Sequence, residues 1–471
     1  MKKSPSDFHA HFDRIADLRS VYIRRNRAYY RDIQNWLGYV ITADASVIEL
    51  GSGTGNVIGN LKNRKKTGID FSSRMLEQAR LQYPGAEYLN DDIENLQHGS
   101  SYDYVLLMDT INVLRDVQKT LSDIRVKLCH DRTRLVITFY NFLWEPLLRF
   151  GEWIGIKTPS PEQNWLSKSD IRALLELANF EVVTSGGRIL LPRNIPILAS
   201  VFNGFLAHLP VIRKLCLVQY VIARPRAYGR KEYSVSVVVP ARNEAGNIER
   251  LLETMPRFGS KQEIIFVEGN STDDTWQSIE KAVTKFGGKW DIKVLKQTGK
   301  GKGDAVRTGF AAAKNDLLMI LDADLTVDPA ELPKFYEAIA SNAGEFINGS
   351  RLVYPMEQHA MPLLNSFANV CFSWLFTWLL GQRLKDTLCG TKVLLKSDYE
   401  RISAGRKFFG DFDPFGDFDL LFGASKLNLK IVDLPVRYRD RTYGQTNIRR
   451  FRHGWLLIKM SLFGMRRMKF G

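Results

Sequence analysis

The sequence predicts an α/β protein of two domains, and three observations carry that expectation. A chain of 471 residues is longer than one ordinary core supports. Short apolar runs alternate with helical patterns along it, the pattern of parallel α/β sheets. A strand series opens at 46–50 (SVIEL) and closes near 216–223 (CLVQYVIA), and a fresh series starts at 234–239 (SVSVVV). Between them, RPRAYGRKEY at 224–233 is polar and basic and holds Pro225 and Gly229. The boundary is therefore placed there, giving domains 1–226 and 227–471.

Composition narrows the class. Apolar residues make up 45% and charged residues 25%, as in globular rather than disordered chains. The four cysteines (Cys129, Cys216, Cys371, Cys389) lie far apart with no C-x-x-C, which argues against a zinc site or a disulfide framework and for a reducing cytoplasm. The first residues, MKKSPSDFH, lack an apolar core, so no secretory signal is expected. Net charge is +15, and 437–471 carries ten Lys/Arg against the single acid Asp440. An anionic partner follows. No RRM, KH or zinc-finger pattern accompanies the charge, so a membrane surface is expected and nucleic acid is not.

In the first half, ELGSGTG at 49–55 follows a predicted strand and leads into NVIGNL at 56–61. Glycines at 51, 53 and 55 permit a sharp turn and close approach of a ligand to the backbone. Asn56 stands where a dinucleotide fingerprint needs glycine. Asp70 closes the next apolar segment, where an acid can take both hydroxyls of a ribose. Asp92 follows a third segment, placed to receive an adenine amino group, and 101–108 (SYDYVLLM) reads as a fourth strand. Together these residues resemble a class I S-adenosylmethionine-dependent methyltransferase over roughly 20–226. The resemblance implies a Rossmann-like fold with Glu49, Gly51, Gly53, Gly55, Asp70 and Asp92 around S-adenosyl-L-methionine. Nothing marks the methyl acceptor: Asp109, Asn112 and Tyr140 stand near the end of the fourth strand, with capping or core roles expected for each. The apolar stretch 195–206 is too short to span a bilayer and is expected to pack on the sheet, the alternative being a lipid-facing or acceptor-binding lid.

In the second half, Asp322 and Asp324 end the apolar run 317–321, where a buried strand reaches the surface and two carboxylates can chelate a hard divalent cation. Upstream lie PARNE (240–244), EGNSTD (268–273) and KGKG (300–303); downstream lie GSR (349–351), DTLCG (386–390) and RTYG (441–444). In this order the blocks resemble a family 2 inverting glycosyltransferase of the dolichyl-phosphate mannose synthase and polyprenyl-phosphate sugar transferase type, over about half the chain. The resemblance implies a GT-A fold with Mg²⁺ or Mn²⁺ on Asp322 and Asp324. It places a nucleotide diphosphate sugar near Pro240, Asn243, Glu244 and Glu268, with Lys302, Arg351 and Arg441 on phosphates. Where relatives carry aspartate this chain has Glu268, which leaves uridine and guanosine both open. Thr326 stands where a glutamine is common, and Asn447 where the pattern closes with lysine; Arg449 or Arg450 would supply that charge.

Asp417 and Asp419 (GDFDL, 416–420) fall where the family keeps its acidic pair. A phosphate acceptor titrates near pKa about 6 and needs no strong base, so there Asp419 orients it. With a sugar hydroxyl as acceptor, Asp419 or Asp417 takes a proton. From 358 to 382 there is no Asp, Glu, Lys or Arg; Asn365, Asn369, Ser373 and Thr377 draw a polar stripe, and Trp374 and Trp378 suit a headgroup region, so an interfacial helix is expected. At the end, Phe451, Trp455, Ile458, Leu462 and Met465 form an apolar stripe beside Arg452, Lys459 and Arg466, an amphipathic basic helix for reversible anchoring at the inner face of the membrane.

The residues together predict a cytoplasmic, peripherally membrane-associated bifunctional enzyme. It transfers a hexose to a polyprenyl phosphate or related lipid-linked or saccharide acceptor and methylates a substrate of the same pathway. The competing expectation is transfer to a sugar hydroxyl, with a non-catalytic S-adenosylmethionine-binding module.

Overall fold

The computed structural model describes residues 5–155, 163–193, 195–354, 363–408, 416–441, 443–444 and 450–470. The chain divides into two compact units, Met1–Ala227 and Tyr228–Gly471, each built on a seven-stranded sheet.

In the first unit the strands are β1 (Val47–Leu50), β2 (Lys66–Asp70), β3 (Glu87–Asn90), β4 (Tyr102–Met108), β5 (Cys129–Tyr140), β6 (Phe180–Arg188) and β7 (Val218–Pro225). Their order is β3-β2-β1-β4-β5-β7-β6. β3 to β5 pair in parallel through β1, whereas β7 runs antiparallel to both neighbours. The order reverses between β1 and β4, which opens a crevice at their carboxyl ends. β1 is buried along its whole length because apolar clusters cover both faces of the sheet. Two helices precede it, Pro5–Arg25 and Arg27–Val40, and the second buries Ile33, Trp36, Leu37 and Val40.

The second unit carries β8 (Val235–Ala241), β9 (Gln262–Glu268), β10 (Asp291–Lys296), β11 (Leu317–Ile320), β12 (Phe346–Ser350), β13 (Lys392–Leu395) and β14 (Ile431–Pro435). The order is β10-β9-β8-β11-β13-β12-β14, with β13 antiparallel to β11 and β12. Both sheets are therefore mixed rather than parallel throughout. Alternation of apolar runs and helices reports burial on both faces, not strand direction, so β7 and β13 escaped that reading.

Three helical expectations change. The stretch 195–206 forms the helix Leu198–Gly204, with no buried residue, and enters a single turn Leu206–His208 that adjoins β6, so the helix itself is not packed into the core. Asn203 instead ties the segment to the chain before it, accepting from the backbone N–H of Leu190 and Leu191 at 2.8 Å each. In Leu363–Leu380 the polar stripe faces inward: Asn369 and Ser373 are buried and, with Thr377, bond to Leu384 and Asp386, while Trp374 is exposed. In Arg450–Met468 the helix buries Leu457 and Met460 and exposes Trp455, Ile458 and Leu462, but Met465 packs against the core rather than joining the exposed stripe. The side chains of Asn365, Arg450, Phe451 and Arg452, and residues Asn447 and Arg449, lie outside the described residues. No helix among the described residues is long and apolar enough to cross a membrane.

Candidate functional site

The crevice of the first unit opens into a cavity of about 620 Å³. Gly51, Gly53, Asp70 and Asp92 line it, together with Asp109, Tyr29 and Arg19. Glu49 and Gly55, expected around the cofactor, are not among its lining residues. Gly51, Gly53 and Gly55 all have positive φ (74°, 52° and 74°), and a Cβ at Gly53 would meet nothing within 4 Å, so the turn presents bare backbone. Asp70 holds that turn by accepting from Gly53 N–H (2.8 Å) and Ser72 N–H (2.9 Å); burial pushes its carboxyl up. Asp92 caps the turn Ile93–Asn95 by accepting from Glu94 N–H (3.0 Å).

Glu49 is buried and accepts from Ile58 N–H at 2.9 Å. Burial raises its pKa to about 8. The folded chain thus binds a proton that the unfolded chain has released above pH ~4.3. Stability contributed by this group falls as pH rises from about 4.3 toward 8. Glu49→Gln is expected to flatten that part of the stability curve, as chemical denaturation across pH 5–8.5 would measure.

Past β4, Asp109 adopts φ 57° and stands half-buried on the cavity wall. It accepts from Tyr29 Oη and from Thr138 Oγ1 (2.8 Å), with Tyr140 and Arg19 beside it; burial pushes its carboxyl up. Tyr29 and Arg19 belong to the first two helices, which carry no motif, so nothing in the sequence pattern pointed to them. Buried Ser52 Oγ and Thr54 Oγ1, on the glycine turn, have no hydrogen-bond partner among the described residues. A bare backbone turn and two acids on one cavity wall fit a nucleoside-bearing cofactor.

In the second unit the sheet order reverses between β8 and β11, and the candidate residues gather at that edge. Asp322 and Asp324 follow β11. Lys302, in the first turn of helix Lys302–Ala312, pairs with Asp322 at 2.5 Å. Burial acts against charge on Asp322, but Lys302, Lys392 and Arg351 hold its carboxyl below the usual range. Arg441 donates to Glu244 Oε1 (2.7 Å) and Asp324 Oδ2 (2.6 Å), joining two distant motifs. Burial lifts Glu244 to about 7 although Arg441 opposes it. Asn243 (φ 58°) accepts from Thr272 N–H at 2.8 Å, and Glu268 accepts from Ser271 N–H at 2.6 Å. These two bonds lock the turns after β8 and β9, with Pro240 at the end of β8.

The acidic pair divides. Asp417 and Asp419 lie in the first turn of helix Asp417–Lys426; Asp417 pairs with buried Lys392 (2.8 Å), and Asp419 with Arg406 (2.7 Å). Arg351 forms a bidentate pair with fully buried Asp386 (2.7 and 2.9 Å) and stacks over Tyr438. Sequence reasoning missed Lys392, Asp386 and Arg406 as partners; only the quoted block 386–390 lay near them. No cluster of three or more metal-ligating side chains occurs among the described residues. Two carboxylates one residue apart, at the end of a buried strand, nevertheless suit Mg²⁺ or Mn²⁺, which commonly completes its shell with substrate phosphates and water. A Cβ at Gly390 would stand 2.0 Å from Asp322 Oδ2 and 2.3 Å from Lys302 Nζ. Gly390→Ala is expected to part that pair and to lower the turnover of this site ~10²-fold, with a thermal melt as the folding control.

The family described as Glycosyl transferase family 2 matches residues 236–398, and the one described as Methyltransferase domain matches 47–129. The chain joins a methyltransferase domain to a family 2 glycosyltransferase domain. The glycosyltransferase half is similar to a low-salt glycan biosynthesis hexosyltransferase of Haloferax volcanii, 27% identical over 49% of this chain and 53% of the relative. It is also similar to a dolichol-phosphate mannosyltransferase of Pyrococcus furiosus, 36% identical over 25% of this chain and 33% of the relative. A dolichyl-phosphate hexose transferase of Haloferax volcanii is 25% identical over 47% of this chain and 89% of its own length. The chain thus spans about half or less of the first two of these relatives. Among solved structures, a Thermotoga maritima S-adenosylmethionine-dependent methyltransferase is 19% identical over 46% of this chain and 99% of its own, with TM-score 0.38. A glucosyl-3-phosphoglycerate synthase of Mycobacterium tuberculosis is 19% identical over 51% and 81%, with TM-score 0.36.

Proposed function

We propose that the glycosyltransferase domain moves a hexose, with inversion, from a nucleotide diphosphate sugar to a polyprenyl phosphate. The observation that carries this reading is the joining of Asp322 to Lys302 and of Asp324 to Arg441 and Glu244 at the sheet's switch point. Lys302 and Arg441 already neutralise the carboxylates and lie where a diphosphate would exchange partners with them. A divalent cation, when bound by Asp322 and Asp324, supplies charge to the leaving diphosphate. Arg351, fixed by Asp386, contributes positive field to Asp322 rather than a free fork. Asp419 is held by Arg406, which suits an acceptor that brings its own nucleophilic charge. The names of the dolichol-phosphate relatives support the same acceptor class. Peripheral attachment to the cytoplasmic face of the membrane is part of the proposal, through exposed Trp374, Trp455, Ile458 and Leu462 with Lys459 and Arg466.

The methyltransferase domain would bind S-adenosyl-L-methionine along Gly51–Gly53, Asp70 and Asp92, which supplies the methyl group when bound. Asp109 Oδ, backed by Tyr29 and Thr138, is placed to hold a proton on the acceptor side of the cavity. The two activities would act on one pathway, a link that rests on their fusion. Incubating the protein with Mn²⁺, nucleotide sugars, labelled methyl donor and extracted lipids tests all parts. A lipid product carrying hexose supports the transfer, and methyl label on that product supports the link. Hexose on soluble sugars with polyprenyl phosphates inert would overturn the acceptor.

A further inference from the structure

The segments that rim the methyltransferase cavity expose apolar side chains that a water-facing surface does not need. Around helix Glu145–Trp153, Leu147, Phe150 and Trp153 face solvent, Trp153 at 81%. In the stretch that follows β6, Ile197, Phe205 and Val211 do the same, Ile197 at 81% and Val211 at 74%. The two segments are neighbours: Trp144 Nε1 donates to Leu215 O (2.8 Å), and Asn141 Nδ2 donates to Lys214 O (2.8 Å). Both also line the same cavity, through Leu147 and Phe150 on one side and Pro192 and Arg193 on the other. The apolar residues therefore form a collar at the cavity's edge, larger than the scattered exposure usual for soluble domains.

Charge selects what the collar meets. No Asp or Glu occurs from residue 182 to 231. Within the collar, Arg193, Arg213 and Lys214 have no acidic partner among the described residues, and Arg213 and Lys214 crowd Lys168, which burial together with them lowers to about 8. On the other segment Glu145 is already paired with Arg149 (2.6 Å), and Glu152 is the one further acid, so the positive charge of the collar comes from the stretch after β6. Apolar side chains interleaved with uncompensated cations match an anionic bilayer surface, into which the first insert while the second meet phosphates. A second copy of the chain would bring the same positive charge to the contact.

We infer that this collar seats the methyltransferase domain on an anionic phospholipid bilayer, so that the cavity opens toward the membrane and takes a lipid-borne methyl acceptor. The inference rests on the reading that the cavity holds the methyl donor, and it assigns the acceptor's chemical class. It concerns residues of the first unit, whereas the exposed helices named above belong to the second.

The test uses the full chain. Cys371, the exposed cysteine of the four, is replaced (Cys371→Ser), and an environment-sensitive fluorophore is attached through Val211→Cys. Vesicles of phosphatidylcholine alone are compared with vesicles that also contain phosphatidylglycerol. The label should shift to the blue only with the anionic vesicles, and Trp153→Glu should weaken the apparent affinity read from this shift roughly tenfold. Calorimetry with S-adenosylmethionine checks that Trp153→Glu still folds; a second variant, Ile197→Glu, should reproduce the loss. Vesicles that pellet the chain without shifting the label would overturn the inference, as would a shift that appears without vesicles as the chain dimerises in sedimentation velocity. Failure of the unsubstituted chain to bind S-adenosylmethionine would instead strike the donor reading, leaving the vesicle result to stand by itself.

Discussion

Asp322→Asn is expected to lower sugar transfer about 10³-fold while leaving the fold intact. The side chain keeps its shape but loses the charge that Lys302 and a bound cation need, and charge at a leaving diphosphate commonly accounts for a loss of this size. The pair it breaks is partly exposed, with side-chain exposures of 27% for Lys302 and 30% for Asp322, so the stability change should be small. Release of nucleoside diphosphate, measured at saturating Mn²⁺, reads the effect. Asp324→Asn should act similarly and should also free Arg441 from one of its two carboxylates. Transfer within a few-fold of the unsubstituted chain in both variants would remove these residues from the chemistry.

The largest stability effect is expected at Asp386. It is fully buried and accepts three bonds from Arg351, through the backbone N–H (3.1 Å), Nε (2.7 Å) and Nη2 (2.9 Å), and two more from Asn369 Nδ2 (3.1 Å) and Leu388 N–H (3.0 Å). Asp386→Ala leaves a buried guanidinium without its partner, which should cost about 3–5 kcal/mol. Burial opposes charge on this carboxyl, yet Arg351 outweighs it and holds the pKa at about 2. A depressed carboxyl contributes its stability above the unfolded value of ~3.9. That contribution fades as pH falls from about 4 toward 2. Urea melts at pH 7 should therefore separate the variant strongly from the unsubstituted chain, and melts near pH 2 should bring them together. Equal melting at pH 7 would mean the pair is not a fixed support of the site.

Much of this site was legible in the sequence because motif residues lie at strand ends. β11 ends just before Asp322, β2 ends at Asp70, and the glycines at 51–55 follow β1, so an apolar run followed by Gly or Asp predicts both element and edge. Partners that come from distant elements were not legible. Lys392 sits on β13, an antiparallel insertion between β11 and β12, and no local pattern says that its ammonium reaches Asp417. Arg19 and Tyr29 belong to helices whose periodicity encodes packing but not the cavity they help to line. The polar stripe of Leu363–Leu380 was visible but its facing was not. The Asn369 amide meets a buried carboxylate and the Ser373 and Thr377 hydroxyls meet one loop carbonyl, an inward environment that hydropathy alone reads as water. The fold of each unit thus follows from local runs, while the charge network follows from topology.

Electron paramagnetic resonance of Mn²⁺ titrated into the protein, with and without UDP or GDP, tests the central claim most directly. If Asp322 and Asp324 grip a cation together with a donor diphosphate, free Mn²⁺ signal should fall steeply only when nucleotide is present. Asp322→Asn combined with Asp324→Asn should abolish that fall. Nucleotide-dependent uptake of Mn²⁺ that survives the double substitution would place the cation elsewhere and contradict the assignment.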